Sequence, residues 1–286
     1  MKRNSLVSLT LLLAVISCFS QKFNPEKEVY LLVRGDDIGS SHAANLGCIE
    51  SYQNGIMQSV ELMVPCPWFP EAVKMLKENP GLDVGIHLVM TSEWDNIKWG
   101  PLTDAPSISD EDGYFYPMAR KRADFPPNSS VQEADWDIEE IEREIRAQIE
   151  LGLKYVPWAT HAGFHMGASR LDEKIGAVVT RLIKDYNLDI DMEPYNFKRF
   201  AGWGDASTLA ERIDNFSAGL EQLEPGFYLF IEHPGVDSPE MQAIWHTGYE
   251  NVAADRDWAT KVFTSEKVKK VIKKKGINLI SYGDLK

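Results

Sequence analysis

The sequence predicts an α/β fold with a mainly parallel sheet, and three observations support this class. Short β-branched or apolar runs alternate with amphipathic helical segments along most of the chain, which is the pattern of repeated βα units. About seven units fit into the 286 residues, and this number and length favour a barrel over an open sheet. No repeat of fixed period and no linker divides the sequence, so we expect a single domain over residues 25–286.

The first part of the chain contains three predicted strands and two predicted helices. Ser, Gly, Asn and Pro residues mark their boundaries. In order, they are a strand over 28–34, a helix from Ser40 or Ser41 to about Gln53, a strand over 58–64, a helix over 71–77 and a strand over 82–89. We expect the first strand to end at a polar loop, Gly35-Asp36-Asp37.

Residues 91–130 interrupt the alternation with an irregular insertion rich in Trp, Pro, Asp and Ser. Long irregular segments inside compact domains are usually functional or disordered, and the aromatic content favours function here. The alternation then resumes. The predicted elements are a helix over 135–151, a strand near 155–160, a helix over 171–185, a strand near 188–192, a helix over 207–223, a strand over 226–232, a helix over 265–274 and a strand over 277–282.

The first 18 residues have the pattern of an export signal. Lys2 and Arg3 precede an apolar run over residues 6–16, and Ser17-Cys18 follows. The run is shorter than the roughly 20 residues that a membrane span needs. The end of the segment also resembles a bacterial lipobox, in which Cys18 would carry the lipid; ordinary cleavage nearby with loss of Cys18 is the alternative. We therefore expect an exported protein, on a periplasmic or outer surface, held to the membrane only through this anchor.

Charge and cysteine content narrow the possible partners. The formal net charge is −13, and it becomes −15 without residues 1–17, because these include Lys2 and Arg3 and no acids. Nucleic acid requires clustered positive charge, so it is a poor partner for this chain. Cys48 and Cys66 are too few for a disulfide framework and are expected as small buried side chains, with a single bridge as the alternative. The oligomeric state stays open, and a dimer is one option.

Unusual polar residues fall where predicted strands end, which is where parallel α/β folds carry their working groups. They are Asp36 and Asp37, His87, His161 and His165, and Glu232-His233. Adjacent aspartates in extended chain point in opposite directions, so one can bind a metal while its neighbour faces the substrate. A turn or a helix-capping pair is the simpler interpretation of Asp36-Asp37.

Each histidine also has a simpler interpretation. His87 lies in an apolar run, where a histidine is more often a core residue than a ligand. His161 and His165 have the i, i+4 spacing that places both rings on one side of a helical turn, which suits metal binding. His233 precedes Pro234-Gly235, a tight turn that would hold the ring, although it could also be a surface loop residue.

One aspartate and two histidines form a ligand set that leaves open positions on a catalytic divalent metal ion. These ligand types favour zinc, with magnesium or cobalt as alternatives. Such an ion activates water and polarises a carbonyl oxygen. Asp36 could then accept the proton of the water, and His233 could protonate the leaving amine. His42 and His246 lack a strand-end position, and we assign neither of them a function.

The ordered set of motifs resembles the YdjC-like carbohydrate deacetylases, which include chitooligosaccharide deacetylases. The motifs are Arg34-Gly-Asp36-Asp37-Ile-Gly39, Gly85-Ile-His87-Leu-Val-Met-Thr91, Thr160-His161 with His165, and Glu232-His233-Pro-Gly235. The resemblance implies a distorted (β/α) TIM-like barrel and hydrolysis of the N-acetyl group of a sugar, with activated water attacking the amide carbonyl. It also implies a metal held by Asp37, His87 and one of His165 and His161, of which we favour His165, and it implies Asp36 as base and His233 as acid.

The resemblance leaves the substrate contacts and the exact reaction open. The family often has an aspartate and a further histidine where this chain has Gly163 and Gly167. Glu93, Trp94 and Trp99 in the insertion are candidates for sugar contact, since sugar C–H faces pack on aromatic rings, with core packing as the alternative for the tryptophans. An O-acetyl esterase acting on polysaccharide and a non-catalytic sugar-binding lipoprotein are the competing functions.

Overall fold

Seven parallel strands form one sheet in residues 22–286, the part of the chain that the computed structural model describes. They are β1 (Val29–Ile38), β2 (Ser59–Met63), β3 (Asp83–Leu88), β4 (His161–Phe164), β5 (Lys198–Arg199), β6 (Gly226–Glu232) and β7 (Asn278–Ile280). Their order is β4-β3-β2-β1-β6-β5, with β7 also paired to β1. The predicted export signal, including Cys18, lies outside the described residues.

Eight α-helices accompany these strands in the described part of the chain. They are α1 (His42–Gln53), α2 (Phe69–Glu78), α3 (Ile138–Tyr155), α4 (Glu173–Asp185), α5 (Leu209–Glu221), α6 (Pro239–Gln242), α7 (Val252–Phe263) and α8 (Glu266–Lys275). The expected α/β class with a parallel sheet is confirmed. Within residues 22–286, no helix combines the length and the apolar character of a membrane-spanning segment.

The long strand β1 organises the sheet. One of its edges pairs with β6 from Val29 to Gly35. Its other edge is shared, because β7 pairs with residues 30–32 and β2 pairs from Arg34 onward. Strands β4 and β5 are the two ends of this order and do not pair with each other within residues 22–286. The sheet is therefore a half-barrel, which agrees with the expected distorted TIM-like barrel.

Local sequence signals explain the element ends that were predicted well. Ser41 caps α1 by accepting a hydrogen bond from the backbone N–H of Ala44. Gly276 ends α8 with a left-handed backbone at φ 66°, a conformation that is less strained for glycine than for other residues.

The start of the described chain packs against the sheet. Phe23 lies edge-on against Tyr30 and Phe227, near the amino ends of β1 and β6. This contact fixes the start of the described chain beneath the sheet.

Several predicted elements differ in the structure. The first strand does not stop at Gly35 but continues to Ile38. The strand predicted near 155–160 is wrong, because α3 runs to Tyr155 and β4 begins only at His161. The strand predicted near 188–192 is not formed: its apolar residues pack beneath the sheet, but only Leu188 accepts a backbone bond from β4. Helices α6 and α7 were not predicted.

The insertion over residues 91–130 is irregular, as expected, yet its inner side chains are buried. It holds one short 3-10 turn, Pro106–Ile108, as its regular element within this fully described range. The buried carboxylate of Glu144 on α3 accepts hydrogen bonds from the backbone N–H groups of Leu102 and Thr103. Cys48 and Cys66 are both buried and free, so the single bridge considered as an alternative is not formed.

Candidate metal centre

The carboxyl ends of β1, β3, β4 and β6 surround one cavity of about 340 Å³. Five residues predicted from strand-end positions line it: Asp36, Asp37, His87, His165 and His233. They come from parts of the chain that are far apart in sequence. Parallel strands bring their carboxyl ends to the same edge of a sheet, which explains this convergence.

A bulge in β1 turns both aspartates towards the cavity. The register of β1 against β2 shifts between Gly35 and Ile38, and Asp37 adopts a positive φ of 73°. In a regular strand two neighbouring side chains point to opposite faces, but a bulge changes the direction of one of them. Asp36 and Asp37 therefore line the same cavity. This corrects the expectation that the pair lies in a loop after the strand.

Three side-chain atoms meet at one point of the cavity. Asp37 Oδ1 lies 3.6 Å from His87 Nε2 and 3.4 Å from His165 Nδ1. The ligand atoms of these three buried residues all lie within 4.8 Å of one another. Oδ1 of Asp37 is buried and has no hydrogen-bond partner within the described residues. An orphaned carboxylate oxygen facing two imidazoles is the arrangement that a divalent cation satisfies, so these residues fit a metal ion.

The other polar atom of each ligand is held by a buried charged residue. His87 Nδ1 lies 3.1 Å from Glu61 Oε2, and His165 Nε2 lies 3.0 Å from Glu93 Oε2. A carboxylate on one ring nitrogen of a histidine directs the lone pair of the other nitrogen to a metal.

Asp37 is restrained in a similar way by an arginine. Arg256 Nη2 donates to Asp37 Oδ2 over 2.7 Å. With Oδ2 engaged, Oδ1 is the oxygen that remains for a cation. The three candidate ligands are thus each held by a buried charged residue, Glu61, Glu93 or Arg256.

Neighbouring charges shift the pKa values of two of the candidate ligands. Burial opposes ionisation of Asp37, but Arg256 and then His165 outweigh it and hold the pKa of Asp37 well below its usual range. Burial also opposes a charge on His165, but Glu93 and Asp37 outweigh it and raise the pKa of His165 to about 10. His165 therefore carries a proton at neutral pH that a metal ion must displace.

Asp36 lies beside the ligand set and is itself tightly held. Its carboxylate accepts two hydrogen bonds from Arg34, at 2.7 and 2.8 Å. The same guanidinium lies 3.2 Å from Glu61 Oε1 through Nη1. Asp36 Oδ2 is 3.9 Å from His87 Nε2. Arg34 thus connects Asp36, the predicted base, with Glu61, the carboxylate that holds His87.

His233 is the most exposed of the five predicted residues, with 40% of its side chain accessible. Its Nδ1 lies 3.2 Å from Glu232 Oε1. Burial opposes protonation, but Asp37 and the hydrogen bond to Glu232 outweigh it and raise the pKa of His233. A raised pKa and an exposed position suit this imidazole to donate a proton to a departing group.

His161 lies deeper in the half-barrel and outside the group of three ligands. Its Nε2 lies 3.2 Å from Glu61 Oε1, and its ring packs on Tyr282 with centroids 4.1 Å apart. The helical turn expected for His161 and His165 is not formed, because His161 begins β4, paired with Gly85 of β3. The histidine spacing arises from an extended strand followed by a turn.

The three residues predicted to contact sugar lie in different surroundings. Trp94 lines the cavity and is stacked against His246 with centroids 5.4 Å apart. Glu93 also lines it but is bound to His165. Trp99 is buried, and its indole N–H donates to the carbonyl of Thr91 instead of facing the cavity. His246, to which the sequence assigned no function, is part of the cavity wall.

Sequence reasoning missed Glu61 and Arg256. Glu61 stands in the middle of the apolar strand Ser-Val-Glu-Leu-Met, and an acid in such a run is a usable signal, since it is rarely buried unless paired. Arg256 lies on α7, whose buried face also includes Asp257 and Thr260. These polar residues blur the apolar periodicity from which a helix is recognised.

The chain is similar to known proteins in sequence and in fold. The model of a family described as YdjC-like protein matches residues 30–274. The chain is similar to a carbohydrate deacetylase of Brevibacillus brevis, with 29% identity over 269 residues, 89% of this chain and 99% of the relative. A carbohydrate deacetylase of Thermus thermophilus is 30% identical over 247 residues, 76% of this chain and 82% of the relative.

The fold is also similar to a solved structure. A protein of Enterococcus faecalis V583, named for cellobiose-phosphate cleavage, aligns with a TM-score of 0.69 and 22% identity. The alignment covers 91% of this chain and 99% of that one. At this identity the likeness concerns the fold alone.

Proposed function

The chain belongs to the YdjC-like protein family, and from this premise we propose that it is a metal-dependent carbohydrate deacetylase acting on N-acetylated sugars or oligosaccharides. Relatives named carbohydrate deacetylase align over most of the chain. The observation that carries the proposal is the convergence of Asp37 Oδ1, His87 Nε2 and His165 Nδ1 in a cavity that Asp36 and His233 also line. A sugar-binding protein without catalysis needs neither of the last two residues in these positions.

The residues divide the work of amide hydrolysis between them. A divalent ion, when held by Asp37, His87 and His165, supplies Lewis-acid polarisation of the acetyl carbonyl and lowers the pKa of water. Asp36 accepts the proton of the attacking water, with its carboxylate oriented by Arg34. His233 donates a proton to the amine nitrogen as the C–N bond breaks, which yields acetate and a free amino sugar.

We propose zinc as the ion, because two imidazoles and one carboxylate are a zinc ligand set. Magnesium and cobalt are the alternatives to be compared with it. For the sugar itself, we propose contact with Trp94 at the cavity wall, whereas Glu93 serves His165 in this proposal.

We also propose that the enzyme works outside the cytoplasm, on a periplasmic or outer surface. The support is the pattern of Lys2-Arg3, the apolar run over 6–16 and Cys18. Acetylated glycans of cell surfaces and surroundings are available there as substrates.

The test measures acetate release from short N-acetylglucosamine oligomers by the zinc-loaded chain, with and without a chelator. We expect chelator-sensitive release. Asp36→Asn should lower kcat by about 100-fold or more because the proton acceptor is lost. His87→Ala should abolish release together with metal binding.

His42→Ala provides the matched control, since His42 pairs with Glu71 and does not line the cavity. It should retain full activity. If the zinc-loaded protein released no acetate from N-acetylated oligomers but cleaved O-acetylated ones, the amide substrate would be replaced by an ester. Absence of release from both would contradict the enzymatic proposal.

A further inference from the structure

Helix α7 carries a buried arginine whose contacts join two separate parts of the site. Arg256 is 5% exposed, and its Nη2 donates to the ligand Asp37 over 2.7 Å. Its guanidinium also lies over the ring of Trp94, 5.3 Å from the centroid. A fully buried arginine is rare unless it is paired, and here the partner is a metal ligand. The contact selects which oxygen of Asp37 faces the cavity.

The backbone of the same residue supports the turn after His233. The carbonyl of Arg256 accepts a hydrogen bond from the N–H of Gly235 over 3.0 Å. One helical turn later, Thr260 donates its hydroxyl to the carbonyl of Gly235 over 2.7 Å. The fit is close, because a Cβ at Gly235 would lie 2.9 Å from Arg256 Cβ. The segment that carries His233 therefore rests directly on α7.

We infer that Arg256 is a positioning residue that orients the metal ligand Asp37, and that its helix α7 sets the place of His233 relative to Asp37 through the contact of Thr260 with Gly235. This inference rests on the proposed metal site. The side chain of Arg256 would act on metal binding, whereas the contact of Thr260 with Gly235 would act on proton donation by His233. The two effects can be separated by substitution.

The charge of Arg256 and its contact with Asp37 have opposite effects on zinc affinity, so a measurement of this affinity can distinguish them. Removal of a positive charge beside Asp37 would by itself strengthen binding of a cation. Weaker binding after Arg256→Gln would thus show that the support that Arg256 gives to Asp37 outweighs its repulsion of the cation. We expect zinc affinity, measured by competition with a chromogenic chelator, to fall about 10- to 100-fold in Arg256→Gln and Arg256→Met. Arg256→Lys should recover part of the loss, because an ammonium can still donate to Asp37.

Arg212→Met is the matched control. Arg212 contacts the same helix through Asp255 at 2.5 Å and also lies over two tryptophan rings, but it does not line the cavity. It should bind zinc as the unchanged protein does. Thr260→Val should keep zinc affinity but lower kcat more than KM, because the turn that holds His233 loses its hydroxyl contact.

Equal or tighter zinc binding in Arg256→Gln would overturn the inference. If Arg256→Met failed to fold, as judged by circular dichroism, the comparison of Arg256→Gln with Arg256→Lys would test the inference. Tighter zinc binding in the lysine variant is expected from its hydrogen bond to Asp37 and is not expected from packing alone. A wild-type chain that bound no zinc would instead overturn the proposed function, so the two failures are distinguishable.

Discussion

Two carboxylates flank the imidazole of His165, and their effect on its protonation has consequences in solution. Asp37 lies 3.4 Å from Nδ1 and Glu93 lies 3.0 Å from Nε2. Together they overcome burial and raise the pKa of His165 to about 10. At pH 7 the metal-free protein holds a proton at the position where an ion would bind. Metal binding must therefore be linked to proton release.

We predict that zinc binding at pH 7 releases about one proton from His165, and that affinity rises up to about tenfold per pH unit between pH 7 and 9. Isothermal titration in buffers of different ionisation heat measures the proton count. Glu93→Gln should reduce the proton release and weaken zinc binding about 10- to 100-fold, since the ring loses its orienting carboxylate. A binding heat independent of the buffer would contradict this assignment.

The same shift acts on the stability of the metal-free protein in the opposite direction. The folded pKa of His165 lies above the unfolded value of about 6.5, so the charged ring stabilises the fold below about pH 6.5. This contribution decreases as the pH rises towards about 10. The increase in Tm that zinc causes should consequently be larger at pH 8.5 than at pH 6.5.

At the scale of single residues, the sequence predicted the three residues that converge in the cavity but not the charged residues that hold them. Asp37, His87 and His165 could be recognised because they fall near strand ends, where parallel folds carry function. Glu61 was missed although an acid inside an apolar strand was a usable signal. Arg256 could not be recognised, because its importance depends on a contact across the half-barrel. Arg256 is 219 residues from Asp37 in sequence, and no local pattern reports such a contact.

At the scale of elements, β4 contributes to the site through a residue that has no side chain, Gly163. A Cβ at Gly163 would lie 2.6 Å from Glu61 Oε1. The glycine therefore provides the space for the carboxylate of Glu61, which holds His87 and lies beside His161. The strand β4 contributes to the site both through His165 beyond its end and through a missing side chain within it.

Gly163→Ala should destabilise the fold by about 1–3 kcal/mol, because the added methyl group overpacks a filled interior. Displacement of Glu61 should also weaken zinc binding, since His87 loses its orienting partner. Urea unfolding and chelator competition measure the two effects. If both values remained unchanged, Glu61 would not be constrained by the glycine as described.

Prediction of the elements succeeded where a capping residue marked an end, as in α1 and α8. It failed in α7, where buried polar residues interrupt the apolar periodicity of the helix. It also failed over 188–192, where the residues do not form the backbone hydrogen bonds of a strand. The half-barrel shape could not be predicted from the apolar periodicity. It depends on how β2 and β7 share one edge of β1, and the sequence of neither strand alone indicates this.

At the scale of the whole molecule, the proposed lipid anchor is open to a direct test. We predict that the full chain expressed in bacteria fractionates with membranes and that Cys18→Ala shifts it to the soluble exported fraction. Cys48→Ala is the control, since Cys48 is buried and free in the core. Soluble wild-type protein, or a Cys18→Ala variant that stays with the membrane, would contradict the prediction.

The position of Phe23 determines how an anchored molecule would be oriented relative to the membrane. Phe23 packs against Tyr30 near the start of β1, whereas Asp36 faces the cavity six residues further along the strand, about 20 Å away at the usual rise. A tether at Cys18 would hold the amino ends of the strands towards the bilayer. The mouth of the cavity would then point outward, so that such an enzyme would trim glycans that approach from the surroundings and not lipids in its own membrane.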